Sequence, residues 1–248
     1  MKTILVFLTI LLQAIFLPIL PQNVSIKEDE SLAILEKFRK ILSVDREYKV
    51  TGQMALYTPD QKPQVKKYTV YAQNDKTLLI FTQPERDRGK IILLIKDQLW
   101  QYFPKIQKTL VINASMNLSG GLNLSDILSS TLFQWYGFTR CDFSSEGNLY
   151  ILTFQALTRN SPYGTVKYYF SDGKIEYFEA YARSGILLKK VVFVKYDKDE
   201  QGQIFPSQLK IINALAENDY TLIQMSSYQA MKIPAYYFNP SALDKVSE

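Results

Sequence analysis

The chain contains no histidine and a single cysteine among 248 residues. Without histidine there is no Ser-His-Asp or Cys-His triad, no histidine-ligated zinc or haem, and no imidazole proton shuttle. Cys141 alone forms neither an internal disulfide nor a thiolate metal cluster. Glycine and proline are sparse, ten of each, and fall at turns rather than in a linker. No internal repeat or low-complexity tract is present. Neither sign of charge dominates: 29 Lys and Arg stand against 24 Asp and Glu, and the net +5 is spread along the chain. That mild excess suits solubility or an anionic membrane surface better than a dedicated nucleic-acid stripe. Lys66, Lys67 and Tyr68 come nearest to the basic–aromatic interleaving of a single-strand groove, and one cluster does not make a groove. Carboxylate, serine–lysine and magnesium chemistry stay open, and nothing in the composition asks for a cofactor or a metal.

Hydrophobic residues make up 47% of the chain, enough for a substantial core. Lys2 precedes an apolar run from Ile4 to Leu20 interrupted by Thr9, Gln13 and Pro18. A positive residue followed by such a run reads as a secretory signal, residues 1–22, with the cleavage point left open. The run sits at the lower edge of a membrane span, so an uncleaved anchor is the alternative. No cysteine follows it to carry a lipid. The expectation is export, with residues 23–248 as one domain.

From Ser31 to Ser43, Leu32, Leu35, Phe38 and Leu42 recur at helical steps with Ile34 and Ile41 beside them, an amphipathic helix of about three and a half turns at 3.6 residues each. Glu28, Asp29 and Glu30 stand at its start, where the helix dipole favours carboxylates. After Arg46 short apolar runs alternate with turn residues, which points to roughly a dozen antiparallel strands at spacings of about 8–12 residues. Asp172-Gly173 is a hairpin signal. Between Asn113 and Phe143 the pattern loosens, and Ile127, Leu128, Leu132, Trp135 and Tyr136 suggest a short helix capped near Ser125. The strands near Ile91–Ile95 and Ile186–Val194 are apolar on both faces and need cover, which the two helices can supply. A sheet this wide is expected to curl. The tail from Pro234 brings Tyr236, Tyr237 and Phe238 back as a last turn or short helix.

The stretch Phe81-Thr82-Gln83-Pro84, then Gly89, then Leu99-Trp100-Gln101-Tyr102-Phe103-Pro104, then Gly120 and Asp126 resembles the LolA-like outer-membrane lipoprotein-sorting proteins. The Phe238 and Leu243 tail is similar as well, and the resemblance spans roughly residues 30 to 245. It implies a mainly β fold with covering helices, an unclosed antiparallel β-barrel or half-barrel. It also implies a periplasmic carrier, not an enzyme, that holds lipoprotein or lipid acyl chains in an apolar concave cavity. The helix at Ser31–Ser43 and the Ser125–Phe138 segment are then expected to move aside as a lid. Implied partners are an inner-membrane lipoprotein-releasing or lipid-exporting transporter and an outer-membrane acceptor.

Candidate ligand-binding residues are Phe81, Trp100, Tyr102, Phe133, Trp135, Tyr136 and Phe138. Trp100 and Tyr102 share one face of a strand, either as the mouth of the cavity or as an ordinary core contact. Phe133, Trp135, Tyr136 and Phe138 crowd the middle segment, as a gating lid or as a core plug. If they gate, Trp135→Ala weakens acyl-chain binding more than it lowers melting temperature. Glu85-Arg86-Asp87-Arg88-Gly89 reads as a solvated hairpin tip with a docking role as the alternative. Two rival functions remain: an RseB-like lipid-sensing regulator on the same architecture, and an envelope enzyme working through carboxylates such as Asp142, Glu146, Asp172 or Glu176.

Overall fold

Strand β2 (Tyr48–Tyr57) shows how the sheet is built. Val50, Gly52, Met54 and Leu56 turn inward and are buried while the residues between them stay half-exposed, the period of two that a pleated strand imposes. The computed structural model describes residues 23–42, 47–113, 117–119, 122–123, 132–159, 161–171, 173–216 and 218–246. The expected signal segment 1–22 therefore lies outside the described residues, as do residues 124–131 around the expected cap at Ser125. No helix among the described residues is long and apolar enough to cross a membrane.

The chain begins with β1 (Asn23–Ser25) and α1 (Glu28–Leu42), followed by β2. Next come β3 (Gln64–Gln73), β4 (Lys76–Gln83), β5 (Ile91–Ile95), β6 (Gln98–Phe103) and β7 (Lys108–Ile112). A separate short pair, β8 (Asn117–Ser119) and β9 (Leu122–Asn123), precedes α2 (Leu132–Trp135). The second run comprises β10 (Tyr136–Ser144), β11 (Leu149–Ala156), β12 (Thr165–Ser171), β13 (Lys174–Tyr181), β14 (Leu187–Lys198), β15 (Ile204–Asn213) and β16 (Tyr220–Ala230). Two 3₁₀ segments, Ala235–Phe238 and Pro240–Lys245, complete the described chain.

Among the described residues, fourteen strands form one antiparallel sheet in the order β1-β10-β11-β12-β13-β14-β15-β16-β2-β3-β4-β5-β6-β7. Sequential hairpins make most of these neighbours. The long ladder from Tyr220 opposite Tyr57 to Ala230 opposite Tyr48 joins the two runs. The edges β1 and β7 do not pair with each other, so the sheet curls without closing into a barrel, as expected. Strand β10 was not anticipated. Its register shifts between Phe138 and Arg140, and a bulge of this kind breaks the alternation by which a strand is read.

Helix α1 lies on the concave side. Ile34, Leu35 and Phe38 form its buried stripe, while Leu32, expected in the stripe, is exposed. Phe38 is fully buried against Phe154, Tyr168 and Phe170, with ring centroids 5.8, 5.0 and 5.7 Å away. Burying such a ring is worth about 3 kcal/mol.

The outer face has its own cover. Strands β4 and β5 are buried on both sides: Leu79, Phe81, Ile92 and Leu94 enter the concave core, and Leu78, Ile80, Ile91 and Leu93 enter a second one. That second core is closed by Ile233, Phe238, Leu243 and Val246 of the tail. Among the described residues, α1 and α2 do not cover this face; the 3₁₀ segments do. On β14 the expectation of two buried faces fails, since Ile186 and Val194 are exposed. Its outer side is dressed instead by Lys190, whose ammonium sits 3.9 Å from the centre of the Tyr177 ring.

Candidate functional site

The concave side is not filled along its whole length. Towards the end that carries Gly173 and the turns at 74–75 and 199–203, a cavity of about 530 Å³ remains between α1 and the sheet, inside the range of roughly 300–1,000 Å³ typical of small-molecule sites. The last turn of α1 contributes Lys40, Ile41 and Leu42. The floor is made by inward positions of the joined strands: Tyr48 and Val50 of β2, Tyr68 and Val70 of β3, Ile223 and Met225 of β16. The far wall is the β14–β15 hairpin, with Phe193, Tyr196, Ile204, Phe205 and Leu209.

That hairpin bends over the cavity because its register shifts twice, between Phe193 and Lys195 and between Lys195 and Tyr196. The Tyr196 hydroxyl pins it to β13, donating to the Ile175 carbonyl at 2.7 Å and accepting from the Ile175 amide at 3.1 Å. The ring of Phe205 stacks on Tyr228 at 5.0 Å, and Tyr228 stacks on Tyr48 at 4.7 Å. Gly52 permits a further close approach. A Cβ there would lie 2.6 Å from the Gln224 carbonyl oxygen and 2.8 Å from the Tyr68 hydroxyl, so only glycine lets the Tyr68 ring cross the floor at this point.

Among the described lining residues only Lys40 and Asp199 carry charge. The Asp199 carboxylate is engaged in its own turn, accepting from the amides of Gln201 and Gln203 at 2.9 and 2.7 Å. Loss of water pushes the Tyr48 phenol up to about 12 and drives Tyr68 and Tyr196 higher still, although the backbone bond to Ile175 works the other way at Tyr196. The phenols therefore stay neutral at physiological pH. The cavity is a largely apolar chamber with a few hydroxyls and two charged residues in its lining, suited to hold hydrocarbon.

None of the seven aromatic candidates lines this cavity. Phe81, Trp135 and Tyr136 are buried in the concave core, with Phe133 and Phe138 packed against the same core. The Trp135 carbonyl accepts from the Leu157 amide at 2.9 Å and the Ser161 hydroxyl at 2.8 Å, and the Tyr136 hydroxyl accepts from the Tyr163 amide at 2.9 Å. Tyr136 and Phe138 are strand residues opposite Ala156 and Phe154, so that part of the expected lid is a fixed member of the sheet. Trp100 and Tyr102 do share a face, but it is the outer one, against the tail core. At the charged tip, burial opposes ionisation of Asp87, yet the bond from Lys90 at 2.6 Å and the charge of Lys66 at 3.3 Å hold its carboxyl below the usual range. Glu85, Arg86 and Arg88 stay exposed, as expected of a solvated tip, and Asp87 alone is buried within it.

A family model described as "uncharacterized protein" matches residues 73–245. The same architecture recurs in solved structures. A LolA superfamily protein from Nitrosomonas europaea is 22% identical, with 84% of this chain and 97% of that chain covered at a TM-score of 0.73. A putative outer membrane lipoprotein-sorting protein domain from Vibrio parahaemolyticus is 20% identical, covering 88% and 100% at 0.75. The chain belongs to the matched family, and its fold is LolA-like. A DUF1329 family protein from Desulfovibrio piger is also similar, at 16% identity, 86% and 98% coverage and a TM-score of 0.71. At these identities the solved structures establish the fold. No curated protein matches the chain.

Proposed function

We propose that this LolA-like protein is a periplasmic carrier of lipid or lipoprotein acyl chains. The apolar cavity beneath the last turn of α1 carries the proposal. It is supported by the fold shared with a putative outer membrane lipoprotein-sorting domain. Residues 1–22 serve as the export signal, and 23–248 work as one unit. Each buried methylene contributes about 0.8 kcal/mol, so a chain of a dozen or so carbons is held firmly without any catalytic group. Entry runs past Ile41 and Leu42 on one side and the tip of the β14–β15 hairpin on the other. Loading from an inner-membrane transporter and unloading to an outer-membrane acceptor are directional if the acceptor binds the chain more tightly; the carrier itself needs only intermediate affinity.

Solvent extraction and mass spectrometry of lipid co-purifying from a bacterial periplasm tests the reading. Stoichiometric phospholipid or acylated peptide is expected. An empty protein that also ignores a fluorescent fatty acid overturns it. Met225→Trp fills the cavity from its floor and is expected to weaken fatty-acid binding by at least about tenfold, with the melting temperature shifted by only a few degrees because Met225 is half-buried and has room beside it.

A further inference from the structure

A second cavity, of about 660 Å³, lies on the outer face, separated by the sheet from the acyl-chain cavity. Strand β6 supplies Trp100 and Tyr102, and β7 places Val111 and Thr109 directly opposite them. The other wall is the 3₁₀ segment Pro240–Lys245, through Pro240, Ser241 and Asp244. This wall is firmly placed. Ala242 is buried, Leu243 is buried in the tail core, and the Asn239 side chain accepts from the Ser241 amide at 3.0 Å.

The composition of the groove selects its ligand. Asp244 is the one charged residue among the described residues that line it, in a chain whose net charge is +5. An anion would meet that carboxylate with no lining cation to offset it. A hydrocarbon chain would strand Thr109, Ser241 and Asp244 against apolar surface. A hard divalent cation needs six or more oxygen ligands, and one carboxylate is a poor start. An organic cation is satisfied on both counts: half-exposed indole and phenol rings attract it through their faces, and the carboxylate neutralises it. We propose that the Trp100–Tyr102–Asp244 groove binds an alkylammonium group, carried either by a free solute or by a lipid headgroup. This site is independent of the carrier reading.

The chain has two tryptophans, so its indole N–H signals in ¹⁵N NMR are few, and Trp100→Phe identifies the one at the groove. Choline is titrated against 3,3-dimethylbutanol, its neutral isostere, at matched ionic strength. The Trp100 signal is expected to move with choline and not with the isostere, and Asp244→Asn, at an exposed position, is expected to weaken the response roughly tenfold. Glycerophosphocholine distinguishes the sources: a response equal to that of choline assigns the headgroup, and a response to choline alone assigns the free solute. No response to either, an equal response to the neutral isostere, or a stronger one to N-acetylglucosamine overturns the proposal. Loading the protein with fatty acid is expected to leave the Trp100 signal in place, so failure here and failure of the carrier reading are read separately.

Discussion

Trp135 and Gly52 have opposite relations to the cavity. Trp135 sits among aromatics and is 3% exposed in the core, away from the cavity. Trp135→Ala is therefore expected to cost about 3–5 kcal/mol of stability and to leave fatty-acid affinity of the surviving folded protein nearly unchanged. Denaturant titration beside fluorescent fatty-acid binding separates the two effects, and a selective loss of binding would restore the lid role expected from the sequence. Gly52 has no side chain to advertise it, yet it sits under Tyr68 on the cavity floor. Gly52→Ala forces a methyl against the Gln224 carbonyl and the Tyr68 hydroxyl, at a cost of about 1–3 kcal/mol. Tyr68 must then rise into the cavity. Both melting temperature and fatty-acid affinity are expected to fall, in contrast to Met225→Trp, where the loss is mainly of affinity.

At the scale of elements, the tail behaves as the cover of β4 and β5, and Glu47 is its clasp. The Glu47 carbonyl accepts from the Met231 amide at 3.0 Å, and its carboxylate accepts from the Ile233 amide and the Gln73 side chain. A hydrogen bond to a charged group contributes about 1.5–3 kcal/mol. Glu47→Ala is expected to speed hydrogen exchange and proteolysis across residues 233–246 while the β2–β16 ladder stays protected. Uniform loss of protection over the sheet would mean that Glu47 supports the whole fold and not the tail. Helix α1 differs from the tail in its anchorage. Its buried stripe is held by the Phe38 contacts near the middle, and its last turn, at the cavity, is only half-buried. That gradient leaves the ligand end of the helix the easier one to open.

For the whole molecule, acid stability follows from the ion network at the β4–β5 loop. The Asp87 carboxyl is held below its ordinary value when folded and returns to about 3.9 when the chain unfolds. Its contribution is therefore present above about pH 4 and is lost as the pH falls through the folded value. In Asp87→Asn the urea midpoint is expected to be lower than wild type at neutral pH and to converge on it as the pH falls below about 4. Parallel curves at every pH would show that packing around Asp87, not its charge, matters.

Much of the architecture follows from local pattern. The α1 periodicity, the turn residues of the second strand run, the short turn after Pro234 and the curl of an over-wide sheet are all consequences of neighbouring residues and of the width of the sheet. The bulge after Phe138 hid β10, because one extra residue reverses which side chains face inward. Alternation placed Trp100 with Tyr102 on one face, but two apolar faces on neighbouring strands gave no means of telling inner from outer. Only the tertiary structure decided that, by laying α1 on one side and the 3₁₀ tail on the other. The cavity was equally out of reach of pattern. Its floor and walls come from α1, β2, β3, β14, β15 and β16, and whether inward side chains touch or leave space depends on how far the sheet bends. Sequence by itself determined strands, turns and the chemistry excluded by missing histidine; curvature and the placement of covers determined where a ligand fits.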